Sequence, residues 1–139
     1  MVPALRAARS TSATLKPAMT AVARAICQAL LDHRHRKTTA LPPARIKHII
    51  PGNYTIAYGD LCAAAAVPIS PIAISPFLLE IAQWCDAAGI PPLNSLAVNA
   101  QTGIPGASYD GAGGFRIVDW PRDVDACIRF GNYPAMSPH

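Results

Sequence analysis

The chain of 139 residues is 51% hydrophobic and only 14% charged, which excludes a disordered polymer and leaves room for one domain with its own core. Its net charge of +4 is unevenly spread: residues 1–59 hold nine Lys and Arg against one acid, Asp32, while residues 60–139 hold three Arg against seven acids. One half therefore suits a polyanion and the other half repels it.

Residues 1–15 (MVPALRAARSTSATL) are basic, rich in small residues and free of acids. They are expected to form a flexible tail, and their composition is also that of an organellar transit peptide. From Pro17 to about His33 the apolar residues Met19, Val22, Ile26 and Leu30 recur at helical spacing, which predicts an amphipathic helix. The basic run His33-Arg34-His35-Arg36-Lys37 follows, then a Pro-Pro break. A second short helix is expected after Pro43, with Ile46, Ile49 and Ile50 on its apolar face and Pro51-Gly52 ending it.

Tyr54 to Tyr58 favours a brief extended segment, and Gly59-Asp60 a turn into a small-residue helix over Leu61–Ala66. Between Leu61 and Cys85 the one charge is Glu80, but Pro68, Pro71 and Pro76 break the stretch too often for a membrane span. A third helix is expected from about Pro76 to Ala88, capped by Ser75 and stopped by Gly89, with Phe77, Ile81 and Trp84 buried. A strand at 95–99 is expected to pair as a hairpin with Phe115–Trp120 across a glycine-rich loop. A last helix spans about Arg122 to Phe130, its first turn made acidic by Asp123 and Asp125. The fold class expected is α+β and mostly helical: a winged helix-turn-helix-like domain over residues 16–139, with a small β-hairpin and an extra N-terminal helix.

The segment RIKHIIPGNYTIAYGDLCAAAAVP resembles the DNA-binding part of the alkylguanine-DNA alkyltransferase and alkyltransferase-like winged-helix family. Ile50, Pro51 and Gly52 match that family's turn, and Tyr58, Gly59, Asp60 and Leu61 match the start of its first DNA-binding helix. The segment IPPLNSLAVNAQTGIPGASY falls where the family has its active-site strand, with Ile90, Pro91, Gly106 and Tyr109 in agreement. The likeness covers about residues 45–109. It implies a DNA-binding scaffold, and by it Tyr58 would touch a backbone phosphate; half-buried packing is the other reading of that ring.

Two departures bear on chemistry. Where the family carries its nucleophilic cysteine this chain has Pro92, followed by Leu93 and Asn94 in place of the His and Arg. Alkyl transfer needs a thiolate activated by a neighbouring base, so no catalytic residue is assigned and the protein is expected not to be an enzyme. Ala73 lies near the position of the family's base-displacing arginine.

The four cysteines, Cys27, Cys62, Cys85 and Cys127, are far apart and in apolar settings, which favours free buried thiols and a reduced, cytoplasmic location. No acid or cysteine stands at ligand spacing from His33 and His35, so no metal and no cofactor are expected. Arg34, Arg36, Lys37, Arg45 and Lys47 form the densest cationic cluster and read either as phosphate contacts or as a solvated helix end. The expected function is a non-catalytic DNA-binding protein that holds the phosphate backbone through its basic N-terminal half. The alternative is a small protein-binding inhibitor or adaptor, such as mobile elements encode, acting through its proline-rich middle and acidic C-terminal face.

Overall fold

The computed structural model describes residues 19–106, 109 and 116–134. The expected basic tail at 1–15 and the glycine-rich tip at 110–115 lie outside them.

Helix α1 runs over Ala21–Ala40, capped by Thr20, whose hydroxyl accepts from Ala23 N–H. It carries the whole basic run inside it rather than stopping at His33, because Arg and Lys are good helix formers and the first stop signal is Pro42. Beyond it, Pro43–Arg45 and Pro51–Asn53 are single 3-10 turns. The expected second helix is absent there: prolines at both ends of the segment leave too few donors to propagate a helix. Ile49 is buried and Ile50 is exposed, as in an extended connection.

Strand β1 (Ile56–Ala57) leads directly into helix α2 (Tyr58–Ala65). A 3-10 turn at Pro71–Ala73 precedes helix α3 (Ser75–Ala88). Ile74, not Ser75, is the N-cap of α3, and Gly89 ends the helix in the left-handed region at φ 69°. The buried face of α3 is Leu78, Ile81, Ala82 and Cys85; Phe77 and Trp84 pack half-buried at its edge. A fully buried 3-10 turn, Leu93–Leu96, then enters strand β2 (Ala97–Val98).

The two strands form a parallel pair, Ile56 against Ala97 and Ala57 against Val98. The partner of β2 is therefore β1 and not the segment before Trp120. Ile117–Asp119 is a 3-10 turn leading into helix α4 (Trp120–Arg129), so the expected hairpin is replaced at that end by helix. A proline at the second position of α4 and an acid in its first turn explain the change, since both favour a helix start over a strand.

The result is a mostly helical α+β unit with a two-stranded sheet. Ile26, Leu30, Leu61, Ile81, Leu93, Leu96, Val124 and Ile128 form one core in which α1 and α4 meet the 93–96 turn. Trp120 anchors it by donating its indole N–H to Ser95 O at 2.7 Å. No helix among the described residues is long and apolar enough to cross a membrane.

Candidate functional site

The cationic residues of the first half divide into two kinds. Arg34 turns inward: its guanidinium donates to Cys127 O at 2.8 Å, to Ile128 O at 3.1 Å and to Phe130 O, and it lies 5.0 Å over the Tyr133 ring. These carbonyls belong to the last turn of α4, where a helix has unsatisfied acceptors and negative dipole. Arg34 is thus built into the fold, its guanidinium closing the C-terminal end of α4.

Arg36, Arg45 and Lys47 are exposed and Lys37 is half-buried. The ion pairs among the described residues are Arg122–Asp119 and Arg129–Asp125, so none of these four cations is neutralised there. Arg129 steadies the segment that carries two of them, donating to Ile46 O at 2.7 Å and Lys47 O at 3.1 Å. His33 is buried beneath the run, its Nε2 2.9 Å from Tyr54 O. Burial holds its pKa below the ordinary 6.5, with Lys37 and Arg36 adding to the depression and the Tyr54 carbonyl opposing it.

Tyr58 lies elsewhere. Its hydroxyl accepts the Gly106 N–H at 2.7 Å, which clamps the loop after β2 onto the start of α2. That loop is locally built: Asn99 Oδ1 accepts from Gln101 N–H, Gly103 turns at φ 72°, and Ile104 O closes back on Asn99 N–H. Asn, Gly and Pro at these places supply the side-chain acceptor, the left-handed backbone and the stop that such a turn needs.

The clamp forms one wall of a cavity of about 290 Å³, lined by Tyr58, Ser75, Leu78, Leu79, Ala82, Asn94, Ala97, Pro105 and Tyr109 among others. Among the described residues, no charged side chain lines it. Asn94 is 6% exposed, and its carboxamide has no hydrogen-bond partner among the described residues, Oδ1 being buried outright. Ser95 Oγ is the other buried polar atom without a conventional partner; the Cys127 thiol, a weak one, stands beside it. Tyr109 donates to Asp123 Oδ2 at 2.5 Å, and burial raises the Asp123 carboxyl above its usual range.

Pro92, Leu93 and Asn94, where the resembled family has its active-site strand, belong here to the 3-10 turn and its cap in front of β2. What the likeness did not mark is Asn94 as an unpaired buried amide. The only local signal was a polar residue inside an apolar run, PPLNSLAV.

Basic segment and cavity are separated. Thr20, at the start of α1, donates to the Glu80 carboxylate from its N–H at 2.9 Å and its hydroxyl at 3.0 Å, and Glu80 lies between the cavity-lining Leu79 and Ala82. Arg36 is sixteen residues further along α1, about 24 Å at the helical rise. Along α4 the order is the same: Asp123 meets cavity-lining Tyr109, while Arg129 holds the basic segment.

All four cysteines are free and buried. Burial pushes the Cys27 and Cys85 thiols up to about 12 and Cys127 to about 11, and raises Cys62 as well. Among the described residues no three His, Cys, Asp or Glu side chains gather as metal ligands would. No protein-family model, no characterised protein and no solved structure matches this sequence.

Proposed function

We propose that this is a non-catalytic DNA-binding protein on an alkyltransferase-like scaffold, which contacts the phosphate backbone through Arg36, Lys37, Arg45 and Lys47. The observation that carries this is the set of four cations without an acidic partner among the described residues, held on the last turns of α1 and the segment pinned by Arg129. The last turn of α1 holds one basic residue, Lys37, and Arg34 closes the end of α4, so Arg36, Arg45 and Lys47 exceed what these helix ends use. The surplus charge is most simply explained by an external polyanion. Two features support the non-catalytic part: proline stands at the position of the family's nucleophile, and the thiols present are held neutral by burial.

The test is binding of the full-length protein to a short labelled duplex, with and without an alkylated guanine, across a salt series. Four phosphate contacts predict a slope of roughly −3 to −4 in log K against log salt. Changing all four residues to Gln should flatten that slope and weaken binding alike for every sequence. No binding at low salt would sink the proposal.

A second reading, a protein-binding adaptor, has one specific observation in its favour. Ile72 is 94% exposed in the link between α2 and α3, with Pro68, Pro71 and Ala73 exposed or half-exposed around it. Residues 49–115 moreover contain no Lys, Arg or His. The DNA reading expects Ile72→Glu to leave duplex binding as it was. Loss of binding in that variant would shift the interface to this apolar link.

A further inference from the structure

We propose that Arg129 is the positioning residue of the phosphate site: from the end of α4 it holds residues 43–47 in one conformation and so sets Arg45 and Lys47 side by side. The inference deepens the phosphate reading given above and rests on it.

The segment has little structure of its own. Pro42 and Pro43 remove backbone donors, and the single 3-10 turn at Pro43–Arg45 is closed by Ile46 N–H on Pro43 O. Beyond that turn the chain is extended, with Ile46 at φ −96° and ψ 119°. An extended residue sends its two neighbours to the same side. Ile46 packs half-buried against the core while Arg45 and Lys47 are exposed, so the two cations share the outer face.

Arg129 supplies the restraint. Its guanidinium donates to Ile46 O at 2.7 Å and Lys47 O at 3.1 Å, with a longer bond to Pro43 O at 3.4 Å. These carbonyls lie on both sides of Arg45, so the backbone is fixed before and after it. The Arg129 Nε–H is donated to Asp125 Oδ1 at 2.8 Å, one turn back on α4, which aims the rest of the fork at the segment. A planar guanidinium spans several carbonyls at once, and a compact ammonium does not. The ends of the loop are held separately, since the Tyr54 hydroxyl donates to Leu41 O at 2.8 Å and Tyr54 O lies 2.9 Å from His33 Nε2. The middle is what Arg129 orders.

Arg129 is not itself a phosphate contact, because its charge is met by Asp125 and its N–H groups are engaged by carbonyls. Arg34 of α1 holds the end of α4 in the same manner. Two arginines thus link Arg36 and Lys37, on α1, to Arg45 and Lys47.

The experiment compares the full-length protein with Arg129→Lys, which keeps the charge and loses the fork. Binding to a short labelled duplex is read by anisotropy across a salt series, and trypsin cleavage after Arg45 and Lys47 is followed without DNA. Arg129→Lys is expected to weaken binding by about tenfold at an unchanged salt slope, since the phosphate contacts stay the same in number and only their ordering is lost. In an Arg45→Gln, Lys47→Gln background it should weaken binding no further. The two cleavages should quicken by about tenfold while cleavage after Arg24, inside α1, keeps its rate. Should Arg129→Lys fail to fold, Asp125→Asn, which leaves the fork without its aim, is expected to quicken the same two cleavages. Absence of duplex binding by the unaltered protein would sink the phosphate reading, and the cleavage rates would then decide on Arg129 alone. Binding by Arg129→Lys equal to that of the unaltered protein, an equal loss in the Arg45→Gln, Lys47→Gln background, or unchanged cleavage after Arg45 and Lys47 would each overturn the proposal.

Discussion

Arg34 belongs to the densest run of positive charge in the sequence and faces the interior. Its planar guanidinium reaches three carbonyls at the end of α4, a geometry an ammonium does not reproduce. Arg34→Ala is expected to destabilise the protein by about 2 kcal/mol, from carbonyls left without donors, and Arg34→Lys should recover little of it in urea unfolding. His33, one residue earlier, makes a pH-dependent contribution. Its pKa is depressed in the folded protein, so between 6.5 and its lower folded value the unfolded state binds more protons. Stability therefore falls as pH drops through that window and levels off beneath it. Unfolding midpoints from pH 7.5 to 5 should show this decline, and His33→Gln should flatten it.

Two helices end in the same way with different residues. α3 closes on Gly89 at φ 69°, with Gly89 N–H bonding Asp86 O and Ile90 N–H bonding Cys85 O. α2 closes on Ala66 at φ 55°, with Ala66 N–H bonding Ala63 O and Val67 N–H bonding Cys62 O. A left-handed residue with a Cβ is strained where glycine is not. The matched changes should have opposite signs: Gly89→Ala destabilising by about 1 kcal/mol, and Ala66→Gly stabilising by somewhat less than that. Nothing lies within 4 Å of a Cβ built on Gly89, so chemical denaturation reads the backbone conformation and not a clash. The end at Gly89 is legible in sequence, because glycine acts on its own backbone, whereas the left-handed Ala66 carries no such mark. Starts marked by an acid or a proline are legible for the same local reason, Asp60 in α2, Pro76 in α3, Pro121 and Asp123 in α4, which is why these helices lie close to where the residue pattern puts them. The reach of α1 to Ala40 was hidden by its own charges, and Pro42 was its true stop signal.

At the scale of the whole molecule the four cysteines belong to the interior. Their buried, neutral thiols should resist an aromatic disulfide reagent in the folded protein and react together on denaturation, with Cys62, at 6% exposure, the first to respond. A fast-reacting thiol in the native protein would contradict this packing. The two candidate surfaces are also a property of the whole. α1 meets Glu80, next to cavity-lining Leu79, through Thr20 at its start and carries Arg36 and Lys37 toward its end, and α4 meets Tyr109 through Asp123 and the basic segment through Arg129.

Residue order alone determined composition, the helix stops, the buried thiols and the cationic surplus of the first half, since each depends on local chemistry or on counting. Tertiary structure decided the rest. β1 and β2 pair although Ile56 and Ala97 are 41 residues apart in sequence, and the expected local hairpin gave way to a helix start at Trp120. Arg34 was assigned to the interior by carbonyls more than 90 residues away. Tyr58, Asn94 and Tyr109 became one cavity only when α2, the 93–96 turn and the loop after β2 met. Two-residue strands and single side chains have too little local preference to choose their partners; burial of the shared core makes that choice for them.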